Sequence, residues 1–330
     1  MDGAFGLLKG GLRARGPQVR WYDRWQPSLD EALSALPSPE LCPPELLREL
    51  FEVCPVQKRV AQLDLAGEPL AVVPLKYTGG IWQPITTWVL PGTLFPARAG
   101  HEIRALAALR MPIFVGWWRQ SAPPPADATI VQRRDVPAYR LACKEEDEPH
   151  WRQSGLLNKV RRARKRCATL RVEINRPGSA QWTIENWGRQ WATEGHAYVP
   201  DTPERLAVTR WWEPRGRHVC VALLDGDEIA ASATVFVQNR DVIGLSVYRR
   251  REYDQLLIGT RLFDAVHQWA LRSGMDLIDF GSDHDYKKDW APQAGTKSEL
   301  VVHVPPSFAF RAVRAVKVRL RAASVGGRVS

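Results

Sequence analysis

The stretch from Val219 to Phe280 constrains the fold more than any other part of the chain. Val219 to Leu224, Ile229 to Val237 and Val242 to Tyr248 are three β-rich runs, separated only by Asp225-Gly226-Asp227-Glu228 and Gln238-Asn239-Arg240-Asp241. Breaks that short dictate an antiparallel meander, because a parallel return needs a crossover of about a dozen residues or more. After a loop, Arg249 to Leu257, the period changes: Leu262, Ala265, Val266, Trp269 and Ala270 repeat at helical spacing within Gly259 to Arg272, and Gly274 follows as a cap. Met275 to Phe280 reads as a short buried strand, followed by a polar segment, Gly281 to Gln293, and a last strand, Leu300 to Val304.

The remainder supports a second unit of similar make-up. With 330 residues the chain exceeds the commonest single-core domain of about 100–150 residues. Residues 1–28 read as an irregular opening, 29–146 as one α/β unit, 147–304 as a second and 305–330 as a basic tail. In the first unit, prolines at 37, 39, 43 and 44 punctuate helical segments between Leu29 and Val53, and Val60 to Leu65 pairs with Leu70 to Tyr77 around Ala66-Gly67-Glu68-Pro69. Strands are expected at Ile81 to Leu90, Pro112 to Trp118 and Ala138 to Ala142, with a helix at Arg98 to Leu109. In the second unit, Leu156, Val160, Ala163, Cys167 and Leu170 form one helical stripe among basic residues, and Trp182 to Ala197 is helix-like.

A formal net charge of +10 favours an anionic partner: nucleic acid, an anionic membrane or a phosphate-bearing cofactor. The densest block is Lys159 to Arg166, where six of eight residues are basic. Cys42, Cys54, Cys143, Cys167 and Cys220 are odd in number and lack CxxC spacing, which argues for reduced thiols and against a metal site. With no apolar run near the roughly 20 residues of a membrane span and no cleavage site after the short run Ala4 to Leu8, a cytoplasmic protein is expected.

Three segments carry a family resemblance. Leu156-Leu157-Asn158-Lys159-Val160-Arg161-Arg162-Ala163-Arg164-Lys165-Arg166 resembles the basic helix of the FemAB-like, CelD-like branch of GNAT acyltransferases. Trp269-Ala270, Gly274 and Asp279-Phe280-Gly281 leading into Tyr286-Lys287 resemble its closing motif, and Ala71-Val72-Val73-Pro74-Leu75 is similar to part of its opening domain. The resemblance implies an α/β (α+β) chain of two tandem GNAT-like domains, each a mixed, mainly antiparallel twisted sheet flanked by helices, with the active site in the second. It implies N-acyl transfer from an acyl-CoA or acyl-carrier-protein thioester, without a metal, to a primary amine of a small molecule, a sugar or a peptide side chain.

On that resemblance the donor's pyrophosphate belongs where a strand gives way to a helix, since free backbone N–H groups and the positive helix end favour anions there. The residues in question are Gln255, Ile258, Gly259 and Thr260, with Tyr248, Arg249 and Arg251 adjacent. Only Gly259 matches the superfamily's glycine-containing loop, so a plain helix start fits the same residues. Acyl transfer to an amine also needs a proton acceptor and stabilisation of developing charge. Asp279, Asp283, His284, Tyr286 and Lys287 supply those groups within nine positions, and Glu194 is an alternative base. Trp191, His196, Tyr198 and Trp212 are candidates for the acceptor groove, although aromatics at such spacing also suit a core.

Two other readings stay open. The basic helix could grip aminoacyl-tRNA as donor, or be a solvated or internally paired face. The imperfect Gly259 loop permits a non-catalytic GNAT-like binding module. A minor peripheral membrane contact is the reading left for the tail, where Arg311, Arg314, Lys317, Arg319 and Arg321 mix with valines and Leu320.

Overall fold

A computed structural model describes residues 16–92, 95–118, 130–143, 148–193, 201–282 and 287–302. The first half contains β1 (Gln18–Tyr22), α1 (Pro27–Ser34), α2 (Pro44–Val53), β2 (Lys58–Leu65), β3 (Glu68–Thr78), β4 (Ile81–Pro84), α3 (Glu102–Ala108), β5 (Ile113–Trp118) and β6 (Ile130–Ala142). The second contains α4 (Glu148–Gln153), α5 (Leu156–Arg166), β7 (Arg171–Ile174), α6 (Ser179–Thr193), α7 (Thr202–Trp212), β8 (His218–Asp225), β9 (Glu228–Gln238) and β10 (Asp241–Arg249). A 3-10 turn, Arg251–Leu256, then leads to α8 (Ile258–Arg272), β11 (Leu277–Ser282), α9 (Lys287–Trp290) and β12 (Gln293–Val302).

Each half repeats one plan. In the first, β2, β3 and β4 form a meander, α3 crosses over, and β5 returns parallel to β4. In the second, β8, β9 and β10 form the meander, α8 crosses over, and β11 returns parallel to β10. These are the two parallel pairs among the described strands; every other pairing is antiparallel. Ala66 and Gly67 close the β2–β3 turn, both at positive φ (56° and 88°), the geometry that a two-residue hairpin demands. The chain is therefore two mainly antiparallel GNAT-like sheets flanked by helices, in tandem.

The halves exchange their last strands. β6, which follows β5, pairs with β11 of the second half, while β12, which follows β11, pairs with β5 of the first and with β6. The result is one continuous strand order, β1-β2-β3-β4-β5-β12-β6-β11-β10-β9-β8-β7. Neither half closes its sheet with its own chain.

Several expectations shift. The opening segment contains β1, which pairs with β2 and hands Arg20 to Asp64 at 2.7 Å. The strand expected over Ile81 to Leu90 stops at Pro84, because Thr87 N–H bonds back to Pro84 O and Leu90 N–H to Thr86 O, making turns. The helix expected from Arg98 begins only at Glu102, after Gly100 at φ 77°. The loop before α8 is a 3-10 helix, and β12 begins seven residues before Leu300. A helix over Thr202–Trp212 had no counterpart in the periodicity.

The second-half sheet has two unlike faces. Val219, Val221, Leu223, Ala231, Ala233 and Val235 face α5 and α8 in an apolar core. On the opposite face the alternate positions His218, Cys220, Ser232, Thr234 and Ser246 are buried and polar. A strand buried on both faces is usually apolar throughout. This polar stripe lies under α6 and α7, where Thr183 bonds Ser232 and Thr209 approaches His218 at 3.4 Å.

Charge is also buried between the halves. Lys76 of β3, 1% exposed, contacts Asp201 and Glu204 of the second half, the latter at 3.2 Å. Burial pulls its pKa down, but the two carboxylates outweigh burial and hold the ammonium above its ordinary value.

Candidate active site

The site is a fork in the second sheet. β10 and β11 pair in parallel only from Asp241–Ile243 to Leu277–Asp279. β10 then runs on to Arg249 and β11 to Ser282 with no pairing between them. A bulge between Gly244 and Ser246 starts the divergence; an extra residue there bends and twists the strand away from its neighbour. Backbone N–H and C=O groups on the facing edges are thereby left for something else to satisfy.

The start of α8 stands at the open end of this fork, as the carboxyl ends of two parallel strands and their crossover helix require. Leu257 N–H bonds to Asp254 O at 3.0 Å and closes the 3-10 turn. Leu257 itself sits at φ 61°, ψ 36°, a left-handed conformation that costs a non-glycine residue roughly 1–2 kcal/mol. The first helical bond is Arg261 N–H to Leu257 O at 3.1 Å, so the N–H groups of Ile258, Gly259 and Thr260 lie ahead of the helical ladder. Ile258 is fully buried, so its side chain does not obstruct this end. A Cβ on Gly259 would stand 3.5 Å from Arg249 Cδ and Nε, which places that cationic side chain directly over the glycine. Free N–H groups, a helix end and a guanidinium make this an electropositive end of α8, and the single glycine sits where the Arg249 side chain comes nearest.

The expected donor residues thus gather in one place. Tyr248, half-buried, packs its ring edge against Trp182 at 5.3 Å. Arg249 pairs with Asp254, Arg251 and Gln255 are exposed, and Gln255 O accepts a 2.8 Å bond from Arg166 that ties α5 to this turn. Asp279 is the last residue of β11 paired with β10, at the fork's apex, 2% exposed, with Oδ2 3.5 Å from Arg140 Nε of β6. Lys287 opens α9 and is 8% exposed. Trp191, on α6, lies 5.7 Å from Trp187. Trp212 stands apart from this group: it is core, edge-on to Phe236, with its indole N–H on Leu41 O at 3.3 Å. Asp283, His284, Tyr286, Glu194, His196 and Tyr198 lie outside the described residues.

Beside the fork lies a closely packed polar cluster that periodicity did not reveal. Arg205 of α7 and the polar stripe residues His218, Thr234 and Ser246 form it, with Val89 from the first half and Ile184 from α6 packed around them. Arg205 donates to Ser246 Oγ at 3.3 Å and to Trp88 O at 2.6 Å, and stacks over Trp187 at 4.4 Å. Ser246 is the first residue past the bulge, so this guanidinium touches the rim of the fork. Burial, with Arg205's charge adding, pushes His218 down to about 4, so the imidazole is neutral. The one sequence signal available was the run of Ser, Thr, Cys and His at alternate strand positions.

The sequence matches the family model described as an acetyltransferase (GNAT) domain over residues 154–288. No curated protein matches it. Among solved structures, the C-terminal domain (DUF2156) of a putative lysylphosphatidylglycerol synthetase from Agrobacterium fabrum aligns at a TM-score of 0.53 and 12% identity, over 88% of this chain and 96% of that one. The L-PGS of Bacillus licheniformis aligns at 0.51 and 10%, over 90% and 97%. A tandem GNAT protein from the clavulanic acid biosynthesis pathway aligns at 0.46 and 14%, over 88% and 100%. The first two likenesses show a shared fold across nearly the whole chain.

Proposed function

From a chain whose residues 154–288 belong to the GNAT acetyltransferase family, we propose an N-acyltransferase that moves an acyl group from a thioester, acyl-CoA or an acyl-carrier-protein arm, to a primary amine. The observation that supports it best is the β10–β11 fork opening beside the start of α8. A thioester arm supplies the activated acyl group. The open edges of β10 and β11 would hold that arm as an added strand, and the N–H groups of Ile258, Gly259 and Thr260 with Arg249 would hold its phosphates. Asp279 and Lys287, with the Asp283 to Tyr286 segment between them, are the groups proposed to handle protons and charge. Holding amine and thioester together removes an entropic barrier, so much of the rate enhancement comes from positioning.

Thermal unfolding with CoA and acyl-CoAs of graded chain length tests this. A bound thioester should stabilise the protein by about 2.7 kcal/mol at a hundred times its Kd. Gly259→Val, which puts branched bulk against Arg249, should weaken that response at least tenfold. Indifference of the wild type to every thioester, or an unchanged response in Gly259→Val, would sink the donor site and favour a non-catalytic module.

One observation favours a second reading with an aminoacyl-tRNA donor: Arg161, Arg162 and Lys165 on α5 are exposed. Under that reading binding weakens steeply with salt and is lost when Arg161, Arg162 and Lys165 are neutralised together.

A further inference from the structure

The outer face of α5 carries charge that nothing on the helix answers. Leu156–Arg166 holds six cations and no acid, while Leu156, Val160 and Ala163 are buried and mark the inner side. Arg164 turns to Asp264 of α8, and Arg166 donates to Gln255 O of the 3-10 turn at 2.8 Å. Arg161, Arg162 and Lys165 lie on the far side of the helix from the buried stripe, exposed, with no hydrogen bond or ion pair to any described residue. Neighbours three and four positions apart, they repel one another.

This face stands beside the donor entrance proposed above. Lys165 adjoins Arg166, whose bond to Gln255 O, with that of Cys167 Sγ to Leu256 O at 3.3 Å, fastens the end of α5 to the turn that opens α8. Arg161 lies five residues back, about 8 Å along the helix. Because the three cations face outward, a small donor ending at Gly259 does not reach them, whereas a larger body standing over α5 does. Closer to α8 the cations are already engaged: Arg249 with Asp254, Arg250 with Glu228 at 2.6 Å and Arg171 with Glu173 at 3.1 Å. With Arg249 shared in this way, the start of α8 suits one phosphodiester better than the several phosphates of CoA.

We propose that the outer face of α5 docks an acidic acyl carrier protein, so that the donor is a carrier-bound phosphopantetheine thioester rather than free CoA. The proposal rests on the thioester reading of the fork and narrows it to one of the two donors named there. Acidic side chains of the carrier pair with Arg161, Arg162 and Lys165, and the arm passes the Arg251–Leu256 turn to the fork between β10 and β11. Complementary charge at such a rim steers the encounter and fixes its orientation. The same cations support the transfer-RNA reading, but their surroundings favour a protein. Exposed Asp227, Glu228, Glu252 and Asp254 cluster where the β8–β9 turn meets the 3-10 turn, joined by Tyr253 OH to Asp225 at 2.9 Å. A phosphate backbone, charged at every nucleotide, would run past these carboxylates on its way to the fork. A folded carrier meets three cations with a few acids and leaves the acidic turn alone.

The test measures binding by isothermal titration to the full chain, as wild type and as the triple variant Arg161→Gln, Arg162→Gln, Lys165→Gln, at low salt and at about 0.3 M sodium chloride. The probes are the acetyl-loaded acyl carrier protein of bacterial fatty-acid synthesis, its apo form without the arm, acetyl-CoA, and bulk transfer RNA. We expect the wild type to bind the loaded carrier at least about tenfold more tightly than acetyl-CoA at low salt, with the advantage shrinking at high salt. The triple variant should lose at least about tenfold toward both loaded and apo carrier and less than about twofold toward acetyl-CoA, since the outer face of α5 lies beyond the reach of a free thioester. Acetyl-CoA bound as tightly as the loaded carrier overturns the inference and leaves the thioester reading standing. Carrier affinity unchanged in the triple variant overturns it as well. Transfer RNA bound more tightly than the carrier, and released by the triple substitution, overturns it in favour of an RNA-bound donor. Failure of the wild type to bind either the loaded carrier or acetyl-CoA removes the thioester reading and the inference together.

Discussion

His218 and His267 are buried imidazoles that face no carboxylate strong enough to keep them charged. For His218, burial and then Arg205 lower the pKa to about 4; for His267, burial lowers it to about 4 although Asp264 opposes the shift. Both ring nitrogens of His267 are buried with no hydrogen-bond partner among the described residues, against the Trp151 ring at 4.8 Å. With the folded pKa below the unfolded value near 6.5, the unfolded chain binds more protons between about pH 4 and 6.5, so stability falls as pH drops through that window. Above it the contribution is fully present. The loss is on the order of 3 kcal/mol per histidine at most. Urea midpoints measured from pH 7 to 4 should therefore fall more steeply in the wild type than in His267→Phe, and parallel curves would contradict the burial argument. His267 carried no signal in the sequence, and His218 only its place in an alternating polar run, because a lone histidine in a strand or helix pattern looks the same buried or exposed. Arg205 and Lys76 were equally silent, since their burial and their partners are set by the fold. Asp279 was legible as polar at a strand end, but its place at the apex of the fork was not.

The elements were more legible than their residues. The three-strand meander and α8 follow from short breaks and a change of period, and the structure places them at His218–Arg249 and Ile258–Arg272. The stripe Leu156, Val160 and Ala163 is buried as helical spacing requires. Its basic remainder divides in a way that spacing could not foretell: Arg164 grips Asp264 of α8 through two bonds of 2.8 and 2.6 Å, whereas Arg161 and Arg162 are exposed. Arg164→Ala should cost about 1–2 kcal/mol, moderated because Arg261 still reaches Asp264 at 3.0 Å. Arg161→Ala should stay within about 0.5 kcal/mol. Equal effects of the two in chemical denaturation would show that the clamp carries no stability. The short left-handed link at Leu257 was illegible, since leucine is not a residue that announces positive φ; it is imposed by packing Ile258 into the core immediately after the 3-10 turn.

Over the whole molecule, the exchanged strands β6 and β12 and the buried Lys76 cluster make the halves interdependent. Lys76→Met removes the cation and leaves Asp201 and Glu204 buried together, which should destabilise by about 3–5 kcal/mol. Unfolding should remain one transition in both proteins, by fluorescence and circular dichroism alike, because no half has a complete sheet of its own. Two separate transitions in the wild type would refute that interdependence. Among the described residues no helix is long and apolar enough to cross a membrane. The sequence by itself determined the repeated meander–helix–strand plan, the docked basic helix and the start of α8, because hydrophobic period, short breaks and helix starts are local properties of the chain. Only the tertiary structure decided the strand exchange, the opening of the β10–β11 fork and the burial of Arg205. Each of these is set by contacts between residues far apart in sequence, where pairing edges, counter-charges and burial are chosen by the fold and leave no period to read.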